Sequence, residues 1–285
     1  MPLTKISIKH LRCFNDIELS LSPGINFFYG ANGSGKTSML EAIFIFSSGK
    51  SFKSSNLQSL IQYDKEGFYL KGFDKNSGHI VEVEKSKNKA VSLKLNNAKI
   101  VTSRLIKKFP CTPIHNNTFS FASASPDFRR KLLDRSIFIA EDKFSSTWFT
   151  YYRTLKQRNA LLKENRISDI YAWNQKLAFE GEALTNYRKN FFERTLLEFK
   201  NLLNILEPKN VFDFLNLISI NFSYGWRSEN KLIDSLEENL KKDLKRKTTN
   251  HGPHKSDITF LIKDIDARQI LSRGEQKFFS IIWSY

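Results

Sequence analysis

Cysteine, methionine and proline are scarce in this chain of 285 residues, which holds two Cys, two Met and seven Pro. Cys13 and Cys111 form no C-x-x-C pair. That excludes a disulfide framework and a cysteine-based zinc site, and makes both of them expected small core residues of a reducing compartment. Acidic residues are also under-supplied: 29 Asp and Glu stand against 45 Lys and Arg, a formal charge of +16. Such an excess points to a polyanionic partner, nucleic acid before an anionic membrane surface, although a solvated lysine-rich surface gives the same count. No apolar run approaches the ~18 residues that span a bilayer, and the N-terminus carries no apolar signal region. The expectation is a soluble, cytoplasmic chain with no membrane partner, long enough for one large or two modest domains.

What is present begins with glycine. Residues 30–37 read Gly30-Ala31-Asn32-Gly33-Ser34-Gly35-Lys36-Thr37, a complete G-x-x-x-x-G-K-[ST] loop. An apolar run, Ile25 to Tyr29, precedes it and reads as a strand opened by the turn Ser22-Pro23-Gly24. Met39, Leu40, Ile43, Phe44 and Phe46 follow at helical spacing. Strand, glycine loop and helix form the context in which this motif holds a nucleoside triphosphate. Glycines at 30, 33 and 35 let successive N–H groups face one phosphate, and the positive end of the helix adds to that field. Lys36 reaches the β- and γ-phosphate oxygens in this reading, and the Thr37 hydroxyl ligates Mg²⁺.

Patterning divides the rest of the chain. Ile6 and Ile8, then Ile17, Leu19 and Leu21, alternate with polar residues and predict two strands around a turn. Val81 and Val83 face Val91, Leu93 and Leu95 across a tip at 85–89, and Asn96-Asn97 offers a second turn. This predicts an antiparallel β patch beside the nucleotide-binding sheet. From about 128 to 207 the period becomes helical. Trp173, Leu177, Leu184 and Phe191 share one stripe, Phe192, Leu196, Phe199, Leu203 and Leu206 another, and Pro208 ends it. A charged helix near 228–247 and a strand at 257–262 follow. The fold class is α/β: an ATPase domain with segments 1–125 and 211–285, interrupted by a helical arm at 126–210. A plain helical subdomain accounts equally well for the aromatic stripes.

Near the C-terminus stands Leu271-Ser272-Arg273-Gly274-Glu275-Gln276-Lys277, followed by a helix-like run to Trp283. With the phosphate loop, it resembles the signature of ABC-type ATPases, in which the serine and glycine at a helix N-terminus bind the γ-phosphate held by the other subunit. The long insertion favours the repair and chromosome-maintenance branch over transporters. The run from Leu21 to Ile43 resembles the start of the RecF family. So do Gly49–Ser54, Ser125–Asp134, Tyr152–Lys163, His251–Asp257 and the 271–277 signature, all in the family's order.

That resemblance implies an SMC-like head that binds ATP and Mg²⁺ and forms an ATP-dependent homodimer. It also implies binding to DNA, single-stranded and at junctions with duplex, and work with RecR and RecO type mediators to load recombinase in the SOS response. Nucleotide contacts extend by the same route to Ser38 and Arg12, and the signature contacts in trans to Ser272, Arg273, Gly274 and Glu275. The glutamine expected at 110–116 is missing from that stretch. The acidic pair that holds Mg²⁺ and activates water belongs downstream of the signature, past Lys277, and the nearest candidate, Ile258–Asp264, precedes it. The chain is therefore expected to bind ATP weakly without hydrolysing it, although the intact family is a weak DNA-dependent ATPase.

Three basic clusters are candidates for DNA: Lys85/Lys87/Lys89, Arg129/Arg130/Lys131 and Lys241/Lys242/Lys245/Arg246/Lys247. Each also describes a solvated charged face, and Arg129 and Arg130, near Asp134, also describe a structural ion pair or an interface. The run 241–247 is the simplest phosphate tracker, though lysines favour helix C-termini in any case. His251, His254 and Asp257 lack a fourth ligand and are not taken as a metal site. Two other readings remain: a small-molecule phosphotransferase built on the same loop, and a non-catalytic DNA-binding scaffold.

Overall fold

The computed structural model describes residues 3–114, 124–206 and 213–284. It divides into two units, Met1–Pro113 and Ile114–Tyr285. In the first unit, β1 (Lys5–Leu11) and β2 (Phe14–Ser20) form the hairpin read from the alternating isoleucines. Next come α1 (Lys36–Ser48), β3 (Gly67–Asp74), β4 (His79–Ser86), β5 (Ser92–Leu95), β6 (Ala98–Lys99) and α2 (Thr102–Lys108). All six strands join one antiparallel sheet in the order β2-β1-β3-β4-β5-β6. The expected β patch and the N-terminal hairpin are thus a single sheet.

Val81 pairs with Leu95 and Val83 with Leu93, while Val91 lies before β5. Asn96 and Asn97 turn the chain with φ of 49° and 65°, the left-handed pair that a two-residue hairpin turn requires. One face of the sheet buries Ile6, Ile8, Leu70, Val81 and Val83 in a core with Ala42, Ile45 and Phe46 of α1 and Leu105 of α2. Full burial of an aliphatic side chain of this kind stabilises by about 1.5–3 kcal/mol. Packing of α1 on the sheet therefore fixes the helix whose first turn carries Lys36 and Thr37.

The expected strand over Ile25–Tyr29 does not form. Ile25, Phe27 and Tyr29 are 78%, 82% and 93% exposed, and the run has no strand assignment. A short apolar run specifies a strand only when a neighbouring strand supplies the ladder, and no described strand pairs with this one. Cys13 also departs from expectation: it is exposed, and Cys111 is half-buried. The tight β1–β2 connection, with Arg12 at φ 49°, turns Cys13 outward.

The second unit contains α3 (Pro126–Ala140), α4 (Phe144–Glu164), α5 (Ile167–Leu206), β7 (Ser219–Ser223), α6 (Leu232–Glu238) and α7 (Leu240–Arg246). It continues with β8 (Asp257–Ile262), β9 (Ile265–Asp266), α8 (Ala267–Ile270) and α9 (Arg273–Ser284). Ser125 caps α3 through its side chain, with Pro126 in the first turn. The strands pair antiparallel in the order β7-β8-β9. Leu177, Leu184, Phe192 and Phe199 of α5 share one core with Tyr151 of α4, Leu232 of α6, Phe260 of β8 and Phe279 of α9. The helices of the expected arm thus pack with the segment after 210 around one apolar cluster. The helix expected at 228–247 is broken at Asn239, whose backbone leaves helical geometry and whose side-chain amide donates to the Ser235 carbonyl. The stop expected at Pro208, and residues 115 and 116 of the missing-glutamine stretch, lie outside the described residues.

Candidate functional site

The phosphate loop sits where α1 begins. Gly30, Gly33 and Gly35 all have positive φ (149°, 86° and 92°), and Gly35 is the helix N-cap with no side-chain cap. Its conformation and its surroundings both demand glycine: a Cβ there would lie 2.7 Å from Cys13 Sγ and 2.8 Å from Phe14 Cζ. Ala31, Asn32, Gly33, Ser34 and Thr37 are exposed, and Ser38 is half-buried. The first turn of α1 therefore opens to solvent and contains no acidic residue. Lys36 Nζ donates to the carbonyls of Gly30 and Ala31 at 2.8 and 2.7 Å. The ammonium is already folded over the loop that would hold a phosphate. The Thr37 hydroxyl makes no hydrogen bond among the described residues.

Arg12 lies at the hairpin turn, where Nε donates to Glu41 Oε2 at 2.7 Å and Nη2 to Glu41 Oε1 at 3.3 Å. Glu41 is fully buried on α1 and also accepts from the Ser51 hydroxyl. Ser51 Oγ in turn accepts the backbone N–H groups of Lys53 and Ser54. One carboxylate thus ties the hairpin turn, the phosphate-loop helix and the 49–54 loop together. Sequence reasoning passed over Glu41, and its signal was a lone acid among the apolar residues of an otherwise buried helix.

In the second unit, Ser272 and Glu275 form a reciprocal capping box at the start of α9. The Ser272 N–H donates to Glu275 Oε2 at 2.7 Å, and the Glu275 N–H donates to Ser272 Oγ at 3.3 Å. Ser272, Arg273 and Gly274 are exposed, while Leu271 and Phe279 anchor the segment in the core.

The basic clusters separate sharply. Arg129 makes a bidentate pair with Asp257, Arg130 donates to the Ser256 carbonyl, and Lys131 pairs with Asp127. At the hairpin tip, Lys87 pairs with Glu66 and Lys85 donates to the Lys89 carbonyl. On α7, Lys241, Lys242, Lys245 and Arg246 are exposed, as is Lys247 just after it, and none has an acidic partner among the described residues.

The His251–Asp257 segment is built into the fold. Arg188, fully buried, forms a bidentate pair with Asp134 and donates to the Pro253 carbonyl and Ser256 Oγ. The Tyr151 hydroxyl donates to His254 Nδ1 at 2.7 Å, and His254 Nε2 donates to the Thr249 carbonyl at 3.0 Å. Burial pushes the His254 pKa down to about 4, so the ring is neutral at neutral pH. His254 and Asp257 therefore already serve Tyr151 and Arg129.

A family model, the RecF/RecN/SMC N-terminal domain, matches residues 2–282. DNA replication and repair protein RecF of Nitrosococcus oceani is 33% identical over 98% of this chain and 77% of its own length. The same protein of Pseudoalteromonas translucida is 33% identical over 97% and 76%. The chain belongs to the RecF family. A solved structure of the recombination mediator RecF with ATP superposes with a TM-score of 0.78, at 25% identity, over 99% of this chain and 79% of that one. An SMC head bound to the winged-helix domain of ScpA matches at a TM-score of 0.54 and 16% identity, a likeness of fold alone. The SMC-head-like fold read from the sequence is therefore correct, and the RecF family blocks fall on its phosphate loop, the 49–54 loop, helices α3 and α4, the 251–257 turn and the start of α9. Among the described residues, no helix is long and apolar enough to cross a membrane.

Proposed function

We propose that this chain is an ATP-switched, DNA-binding head of recombinational repair and replication-fork maintenance. Segments 1–125 and 211–285 supply the head, and 126–210 the helical arm. The observation that carries the reading is the phosphate loop at the start of α1, with its first turn open to solvent and Lys36 held only by loop carbonyls. An incoming triphosphate offers that ammonium stronger, charged acceptors, so Lys36 exchanges Gly30 and Ala31 for β- and γ-oxygens. The free Thr37 hydroxyl suits a Mg²⁺ ligand, the rest of the ion's shell coming from phosphate oxygens and water. Arg12, held by Glu41 of the same helix, α1, is the further nucleotide contact that the family resemblance implies.

The exposed start of α9 supports the second half of the switch. Ser272, Arg273 and Gly274 present a helix N-terminus that a γ-phosphate held by another copy can bridge. ATP then joins two heads, and the dimer acts with RecR and RecO type mediators on single-stranded DNA at duplex junctions in the cytoplasm. Relatives bear the name of a replication and repair protein, and a related structure was solved with ATP as a recombination mediator, which supports this assignment.

Sedimentation of the full chain with Mg²⁺ and ATP, against ADP, tests the switch. ATP should double the mass. Lys36→Ala should abolish both nucleotide binding and dimerisation. Ser272→Arg should keep nucleotide binding and lose the dimer. A mass indifferent to ATP, with nucleotide bound, would refute the dimer switch, and absence of saturable ATP binding would refute the reading as a whole.

A further inference from the structure

A pocket of about 760 Å³ lies in the second unit, lined by Arg227, Lys242, Arg246 and Lys255, with His251 in its wall and Glu238 as its only acid. Arg227, Lys242, Arg246 and Lys255 are exposed and lack acidic partners among the described residues. The Nδ1 of His251 is buried with no hydrogen-bond partner. An unmatched group of four cations and an unsatisfied ring nitrogen fits an anion. A charged helix end accounts for Arg246 alone, since lysine and arginine favour the last turn of any helix. It does not account for Arg227 and Lys255, which come from two other segments and converge on the same space.

The walls are fixed in advance. Asp243, buried one residue from Lys242, accepts from Arg158 Nη1, from the Asn250 N–H and from Asn250 Nδ2. Asn250 Oδ1 accepts from Arg246 Nη1 at 3.1 Å. These bonds lock α7 to the 249–255 turn, so Lys242 and Arg246, neighbours at i,i+4, are held beside Lys255 before any ligand arrives.

We propose that this pocket grips the phosphodiester backbone of DNA, which locates the DNA contact of the proposed function and rests on that reading. Side-chain cations dominate the lining of the pocket, as suits backbone positioning rather than base reading. Lys241, Lys245 and Lys247 continue the cationic row on and just past α7, a track longer than one phosphate. Of the expected cluster at 241–247, the pocket takes Lys242 and Arg246 and adds Arg227, His251 and Lys255.

The test is anisotropy of labelled single-stranded and forked oligonucleotides against KCl, with the full chain. Combined Lys242→Gln, Arg246→Gln and Lys255→Gln should reduce the log–log salt slope by about 2 on single strands and about 3 on duplex. All three side chains are exposed, so the fold should survive, with the thermal melt as the check. Lys85→Gln, Lys87→Gln and Lys89→Gln remove the same charge from the first unit and should leave the slope nearly unchanged. Glu238→Gln should tighten DNA binding severalfold, a gain no loss of structure can produce. Wild-type binding with a steep salt response but equal losses in both triple variants would overturn the pocket and leave DNA binding standing. Protection of Lys242 and Lys255 from acetylation by inorganic pyrophosphate, but not by DNA, would also overturn it. A wild-type chain with no salt-dependent DNA binding would remove both ideas.

Discussion

Replacing Asp243 by alanine should be among the most damaging single changes in the second unit, and the structure supplies the size of the effect. Arg158 is fully buried; its Nε donates to Asn174 Oδ1 at 2.6 Å, and its Nη1 donates to Asp243 Oδ2 and Thr249 Oγ1 at 2.7 Å each. Among the described residues, Asp243 is its only carboxylate and Arg158 Nη2 already has no partner. Asp243→Ala leaves a guanidinium buried without countercharge, which costs about 3–5 kcal/mol. It also strands the N–H of Asn250, which adds about 1 kcal/mol or more. The four tryptophans, 148, 173, 226 and 283, all lie in this unit, so selectively excited tryptophan fluorescence reports its urea unfolding alone. With a slope of about 2 kcal/mol per molar urea, the midpoint should fall by about 2–3 M. The paired change Arg158→Met with Asp243→Leu removes both charges and should recover most of that loss. A midpoint within about 0.5 M of wild type for Asp243→Ala, or a double variant no better than the single one, would refute the reasoning.

Acid should weaken the second unit through His254. Its pKa falls from 6.5 unfolded to about 4 folded because burial penalises the cation, so the unfolded chain binds the extra proton between those values. The stability is complete above pH 6.5 and drains away as pH falls toward 4, by up to about 3 kcal/mol. A urea midpoint by tryptophan fluorescence that is as high at pH 5 as at pH 7 would contradict this, and His254→Gln should flatten the dependence. At the phosphate loop, Gly35→Ala should lower affinity for a fluorescent ATP analogue more than Gly33→Ala. Both positions have positive φ, but only at Gly35 does the added Cβ collide with Cys13 and Phe14, whereas at Gly33 nothing lies within 4 Å. Equal effects of the two substitutions would show that the collision is relieved.

Which features the sequence revealed follows from where their specification resides. The β1–β2 hairpin, the Asn96-Asn97 turn and β8 were legible because period-two burial and left-handed turn residues are local signals. The phosphate loop was legible because its glycines answer a backbone demand that no other residue meets. The run from Ile25 to Tyr29 misled because a strand is a property of pairs, and its apolar residues say nothing about which strand would pair with it. Cys13 misled because burial statistics for cysteine do not register a tight turn. The break at Asn239 was invisible because it depends on one side chain competing for a helix carbonyl.

The arginines show why charge counts alone could not find the functional surface. Arg129, Arg130, Arg158 and Arg188 are placed by the fold, each committed to a carboxylate or carbonyl of the second unit, and the last two are fully buried. Removing any of them tests architecture, because the partner left behind is stranded. Arg227, Lys242 and Lys255 have the opposite character: exposed and without acidic partners among the described residues, their removal costs the fold little. A formal charge of +16 sums both kinds, and only the second is available to a polyanion. The two are nonetheless coupled at one point, since Asp243, which neutralises Arg158, also fixes the turn that carries Lys255. An unfolding defect and a loss of DNA affinity should therefore appear together in Asp243→Ala, but separately in Lys255→Gln, which leaves every buried pair intact.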